Sequence, residues 1–152
     1  MTEEISAAHD RQVEVSIPVR FGDTDPYGVV YFASYFRYCH HGIEEFFRTL
    51  GFRPGALFRN QEKGFGLPIV GASCDFLRPV RYGDFLRLVV TIFHMKEKSL
   101  TFQFQFHRND SPELVAQGRA TLVCIDASWR SRPLPEDLTA VMQSWIRNEG
   151  VP

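Results

Sequence analysis

The chain has 152 residues, a formal net charge of −1, 44% hydrophobic residues and 23% charged ones. That length supports one sizeable core, and the near-neutral balance excludes a nonspecific nucleic-acid or membrane-surface binder. No apolar run approaches the roughly 20 residues that span a bilayer, and the acidic opening MTEEISAAHD lacks the basic-then-apolar order of a signal peptide.

Residues 1–11 are expected to be a flexible tail and residues 12–152 a single domain. Residues 12–21 alternate, with Val13, Val15, Ile17, Val19 and Phe21 on one face and Gln12, Glu14, Ser16 and Arg20 on the other. This is a half-buried strand, and Pro18 places it at a sheet edge or a bulge. Residues 22–30, GDTDPYGVV, break the alternation and form a loop. Residues 31–50 switch to helical period, with Phe32, Phe36, Cys39, Ile43, Phe46 and Leu50 as an apolar stripe that Tyr35, Tyr38 and Phe47 widen. Arg37, His41, Glu44, Glu45 and Arg48 take the opposite side, Glu44 and Arg48 as an i,i+4 pair. Gly51 is the expected stop.

Residues 52–66 read as irregular, with one helical turn near 56–60. Four strand-like runs follow at 67–77, 85–95, 99–108 and 113–126. In the second, Leu86, Leu88, Val90 and Ile92 share a face, with Phe93 and Met95 on the other. The third alternates most strictly, Leu100, Phe102, Phe104 and Phe106 against Thr101, Gln103, Gln105 and His107. Turn residues separate the last three runs, which predicts an antiparallel meander. Residues 135–148 read as an amphipathic helix with Leu138, Val141, Met142 and Trp145 inward.

One long apolar helix among antiparallel strands predicts an α+β fold in which a twisted sheet wraps the helix. The sheet's outer face carries Val89, Phe93, Val115 and Val123, too apolar for full solvation, which predicts a homo-oligomer. Three scattered cysteines, Cys39, Cys74 and Cys124, argue against a disulfide framework and for buried thiols in a reducing compartment, so a cytoplasmic location is expected. The 14 Phe, against 5 Tyr and 2 Trp, point to a Phe-rich core or an aromatic-lined pocket.

Chemistry concentrates in Asp23-Thr24-Asp25-Pro26-Tyr27-Gly28-Val29-Val30-Tyr31-Phe32. Two carboxylates precede the N-terminus of the long helix, where unpaired N–H groups and a partial positive charge stabilise an oxyanion. A carboxylate there serves either as base or nucleophile beside an electrophile-activating site, or as a plain cap of the helix or turn. GxGxxG, GxxxxGK[ST] and Gly-x-Ser-x-Gly are absent, and the five histidines lack metal-ligand spacing.

This segment resembles the signature of the hotdog-fold acyl-CoA thioesterases of the 4-hydroxybenzoyl-CoA thioesterase type. Three further stretches extend the resemblance over about residues 11–137: Cys39-His40, the run 66–84 and the run 122–135. It implies a hotdog fold and hydrolysis of an aromatic acyl-CoA without metal or redox cofactor, coenzyme A being part of substrate and product. Asp25 aligns with the family's catalytic carboxylate, as nucleophile or as the base that activates water. The backbone N–H of Phe32 matches the position that polarises the thioester oxygen. Gly28 and Tyr27 are expected at the substrate, and Asp23 as a structural cap. A sister branch with short-chain substrates has His where Phe32 stands here.

Pro68 and Ile69, in the stretch Gly66–Val70, resemble the family segment that lines the acyl pocket from a neighbouring subunit. Relatives pair as dimers, commonly doubling to tetramers. Ser34 or His40 is expected to meet hydroxyls of the acyl group, and Arg78, Arg81 and Arg130 are candidates for CoA phosphates. The alternatives are a benzoyl-type or short aliphatic acyl-CoA substrate, or a hotdog protein that binds acyl-CoA without turnover. Neither nucleic acid nor membrane is an expected partner.

Overall fold

A computed structural model describes residues 12–150, with the side chains of 145–150 excepted; the proposed tail at 1–11 lies outside the described residues. Strand β1 (Val13–Pro18) follows the alternating run and stops where Pro18 withdraws its N–H from the ladder. It is an edge strand, consistent with Pro18, in a five-stranded antiparallel sheet of order β1-β5-β6-β7-β4, in which β4 is Ile69–Phe76, β5 Phe85–Met95, β6 Ser99–Arg108 and β7 Leu114–Val123. Phe21, expected inward with Val19, is instead 77% exposed, because the chain leaves the sheet in a 3₁₀ turn at Phe21–Asp23.

The long helix α1 (Phe32–Thr49) lies on the inner face and ends just before Gly51. Its buried side is Ser34, Tyr35, Tyr38, Cys39, Gly42, Ile43, Phe46 and Phe47. The expected stripe is right from Cys39 to Phe46 and wrong at its start. Phe32 is 54% exposed and Phe36 half-buried, while Tyr35, one position before Phe36, and Tyr38 face inward. Gly42 lets the helix approach the sheet closely: a Cβ there would lie 2.9 Å from both Leu88 Cδ2 and Val90 Cγ2.

Strands β5 (Phe85–Met95), β6 (Ser99–Arg108) and β7 (Leu114–Val123) form the expected meander. Their inner rows meet in register, Leu88 opposite Phe106, Val90 opposite Phe104, and Phe102 opposite Ala120. Phe46 and Phe47 both set their rings edge-on to Phe102, with centroids 5.2 and 5.7 Å away. Six of the 14 Phe, namely Phe46, Phe47, Phe65, Phe102, Phe104 and Phe106, are buried in the core, each contributing roughly 1.5–3 kcal/mol, whereas Phe21, Phe32, Phe76, Phe85 and Phe93 stay exposed. A bulge between Ile92 and His94 shifts the register. It turns Met95 onto the core opposite Leu100, correcting its expected place beside Phe93.

The segment read as irregular holds a short helix α2 (Pro54–Phe58) and two two-residue strands, β2 (Arg59–Asn60) and β3 (Phe65–Gly66). With β8 (Ile125–Asp126) these make a second, three-stranded sheet. Helix α3 (Glu136–Gly150) buries Leu138 and Met142 and half-buries Val141; the Trp145 side chain lies outside the described ones. Among the described residues no helix is long and apolar enough to cross a membrane.

The outer face departs from expectation. Val89 and Val115 are already buried within the protomer; a bulge where Phe106 faces Ala116 and His107 faces Leu114 leaves Val115 unopposed, and it joins the core. Phe93 lies under the Arg119 guanidinium, 3.5 Å from its ring centroid. Phe93 is still 41% exposed, as expected, but most exposed apolar side chains lie elsewhere, many on the edge strand β4 (Ile69–Phe76) and around the Asp25 loop.

Candidate active site

The loop before α1 is a small closed hairpin. Thr24 and Val30 form an antiparallel bridge, and the N–H of Asp25 donates to Val29 O at 2.8 Å. Between them Gly28 N donates to Asp25 O at 2.8 Å, closing a turn whose second position is Pro26 with its preset φ. Gly28 then has φ +78°, a left-handed conformation that closes such a loop and that other residues adopt at a cost. Bonds from Val30 N to Val80 O, with a bridge between Val29 and Arg81, tie the hairpin to the segment after β4.

Asp23 anchors this loop. It is 7% exposed; Arg20 N (3.1 Å) and Tyr38 Oη (2.8 Å) donate to Oδ2, and Arg37 Nη2 (3.0 Å) donates to Oδ1. Its carbonyl accepts from Tyr31 N at 2.8 Å and Ser34 Oγ at 2.9 Å. Burial pushes the Asp23 carboxyl up, but the Arg20 N–H, the Tyr38 hydroxyl and the Arg37 guanidinium together hold it below its ordinary value. Burial and the bond to Asp23 push the Tyr38 phenol well up. This is the structural cap that the resemblance implied.

Asp25 is held differently. Its Oδ1 accepts from Tyr27 N at 2.9 Å and Val29 N at 3.4 Å, while Oδ2 has no partner among the described residues. The carboxylate borders a cavity of about 540 Å³ whose walls include Tyr27, Val30, Phe32, Tyr35 and Phe76. The same cavity receives the start of α1. Tyr31 at the N-cap offers no side-chain cap, and the N–H groups of Phe32 and Ala33 find no acceptor among the described residues. Asp25, with one free carboxylate oxygen, and the helix start, with its free N–H donors, thus border one largely apolar cavity.

The structure therefore brings together Asp25, Tyr27 and Phe32, with Gly28 in the turn behind them. Pro68 and Ile69 are not at this site within the protomer. Pro68 lines a separate cavity of about 570 Å³ beside Phe58, Phe65 and Trp129. Ile69 and Phe76 stand at opposite ends of β4, roughly 23 Å apart at 3.3 Å per residue.

Ser34 and His40, expected at the acyl group, do not line this cavity within the protomer. Ser34 Oγ is taken up by Asp23 O and Arg37, and His40 stacks on Phe58 and meets Glu44 at 3.2 Å. Arg78 lines the cavity, whereas Arg81 bridges Val29 and Arg130 donates its N–H to Asp126. Sequence reading missed two wall residues, Tyr35 and Phe76. The available signal was spacing: Tyr35 lies one turn beyond Phe32 on the same helix face.

An antiparallel sheet curled about one long helix, with this loop at the helix N-terminus, is the hotdog thioesterase arrangement. The chain belongs to the thioesterase-like superfamily, whose family model matches residues 19–146. It is 36% identical over 127 residues to the 1,4-dihydroxy-2-naphthoyl-CoA hydrolase of Nostoc punctiforme, covering 83% of each chain. It superimposes on a 1,4-dihydroxy-2-naphthoyl-CoA thioesterase from Synechocystis with a TM-score of 0.78 at 27% identity, over 93% of this chain and 99% of that one. A gentisyl-coenzyme A thioesterase aligns with a TM-score of 0.73, also at 27% identity, over 84% of this chain and 99% of the other.

Proposed function

We propose that this chain is an acyl-CoA thioesterase that hydrolyses 1,4-dihydroxy-2-naphthoyl-CoA, as in phylloquinone (vitamin K1) biosynthesis. Water and the thioester become the aryl carboxylic acid and free coenzyme A, with no further cofactor. The observation that carries the reading is that Asp25, whose Oδ2 is unpaired among the described residues, and Phe32, whose N–H is likewise unpaired, line the same apolar cavity. The thioester carbonyl accepts from the Phe32 N–H, which stabilises the oxyanion as charge develops. Asp25 Oδ2 then attacks the carbonyl carbon or draws a proton from the attacking water; both routes use the same atom and give the same products. Gly28 and Tyr27 shape the mouth of the site.

The edge strand β4 supports a shared site. Among the described residues its outward edge is unpaired over Ile69–Phe76, and Ile69 and Val70 are 39% and 61% exposed. Such an edge pairs readily with another strand. Antiparallel two-fold pairing of β4 with its copy carries the Ile69 end of one protomer to the Phe76 end of the other. Pro68 and Ile69 then reach the Asp25 cavity from the partner subunit, in a dimer or a tetramer built of dimers. Three free cysteines suit the reducing cytoplasm, where we place the enzyme.

The experiment is hydrolysis of 1,4-dihydroxy-2-naphthoyl-CoA followed through the released thiol. Turnover by the wild type, lost in Asp25→Asn, is expected; absence of thiol release from any aryl-CoA ester overturns the reading.

A further inference from the structure

Tyr35 is 3% exposed, lines the Asp25 cavity, and its hydroxyl makes no hydrogen bond among the described residues. Its ring is fixed by stacking on Phe76, with centroids 5.2 Å apart, and by the edge contact with Phe106 at 5.3 Å. Buried tyrosine hydroxyls ordinarily find a partner, because an unmade bond in an apolar site is costly. Tyr38, one turn on, follows that rule through Asp23. Tyr35 departs from it at the wall of the cavity meant for the acyl group. Burial pushes its phenol up to about 12, so it stays a neutral donor throughout the working pH range.

The position suits a ligand's far side. Tyr35 lies three residues, about 4.5 Å of helix rise, beyond the N–H that takes the thioester oxygen. Side chains three apart share a helix face. A ring attached to that carbonyl and entering the cavity therefore runs toward Tyr35. The chemistry of the acyl group supplies the missing acceptor. In 1,4-dihydroxy-2-naphthoyl and gentisyl groups alike, one hydroxyl is ortho to the carbonyl and can bond to it internally. The second is para to the first and needs a partner from the protein.

Resting on the thioesterase reading above, we infer that the Tyr35 hydroxyl is the specificity-determining partner of that distal hydroxyl, selecting para-dihydroxylated aryl-CoA esters over monohydroxylated ones.

The test compares 1,4-dihydroxy-2-naphthoyl-CoA with 1-hydroxy-2-naphthoyl-CoA, which differ only in the distal hydroxyl, on wild type and Tyr35→Phe under anaerobic conditions. Wild type should prefer the dihydroxy ester by about tenfold in kcat/KM, the scale of one hydrogen bond. Tyr35→Phe should abolish that preference by slowing the dihydroxy ester alone, without a lowered Tm. Equal loss on both esters, or no loss on either, overturns the inference. Should the variant fold poorly, the wild-type comparison decides: equal kcat/KM for the two esters overturns it. Wild type that hydrolyses neither ester instead overturns the functional reading itself.

Discussion

Asp23 and Asp25 stand two residues apart in one loop and are held in opposite ways. Both carboxylate oxygens of Asp23 are engaged, by Arg20 N–H, Tyr38 hydroxyl and Arg37 guanidinium, whereas Asp25 commits Oδ1 to the turn and leaves Oδ2 without a partner. The fully bonded carboxylate fixes the loop, and the half-bonded one is available for chemistry.

That division sets the first prediction. Asp25→Asn keeps an amide oxygen to accept from Tyr27 N, so the turn and the fold should persist. It removes the charged Oδ2, and kcat should fall at least about a hundredfold, the scale of a lost catalytic group. Steady-state kinetics beside a circular-dichroism melt checks both halves. Normal turnover by this variant would remove Asp25 from the mechanism.

Asp23→Asn should act mainly on stability, by about 2 kcal/mol, the scale of hydrogen bonds to a charged group. The Asp23 pKa in the fold lies below its ordinary value of 3.8: burial raises it, and the bonds from Arg20, Tyr38 and Arg37 more than reverse that. A carboxyl depressed on folding contributes stability that is fully present above the unfolded value and lost as pH falls through the folded one. The wild type's margin over Asp23→Asn should therefore be flat at neutral pH and shrink below about pH 4. Denaturant midpoints at neutral pH and near pH 3 test this; a margin that widens in acid contradicts the sign.

Strand β4 yields a prediction about assembly. Light scattering at micromolar protein should show a dimer or larger. Val70 is 61% exposed beside the free edge, and a lysine there is a standard block to strand pairing. Val70→Lys should shift the mass toward monomer and lose thioester hydrolysis in parallel, with the circular-dichroism spectrum intact. A fully active wild-type monomer would sink the shared site.

Much of this was legible because the residues involved obey one period without interruption. Strands β5 and β6 begin and end where the alternation does, and the central stripe of α1 follows from Cys39, Ile43 and Phe46. What was hidden depends on geometry that periodicity does not carry. One bulge reverses Met95, another turns Val115 into the core, and two-residue strands are too short to alternate. Phe32, expected to head the stripe, is exposed while Tyr35, expected only to widen it, is buried; both are aromatic at helical spacing, and only the packed structure decides which faces the core. That Asp25 and Phe32 come together at the start of the helix was legible through their motif. The Tyr35 hydroxyl was not, because an unmade hydrogen bond has no sequence pattern.

Substrate class follows from the walls of the Asp25 cavity. Phe32, Tyr35 and Phe76 present three aromatic rings there, beside Val30 and Val80. A flat aryl group gains about 0.5–1.5 kcal/mol per aromatic neighbour beyond area burial. A flexible aliphatic chain gains less from planar walls and loses more rotamer freedom on entry. Two such contacts realised in the transition state give roughly ten- to hundredfold discrimination in kcat/KM. Naphthoyl esters should therefore lead benzoyl and phenylacetyl esters, and all three should exceed butyryl- and palmitoyl-CoA by at least about tenfold. Phe76→Ala should narrow the gap by slowing the aryl esters more than the aliphatic ones. The measurement is kcat/KM across the five esters for both proteins. A wild-type preference for butyryl- or palmitoyl-CoA would reassign the substrate to the aliphatic class while leaving the chemistry of Asp25 where it is.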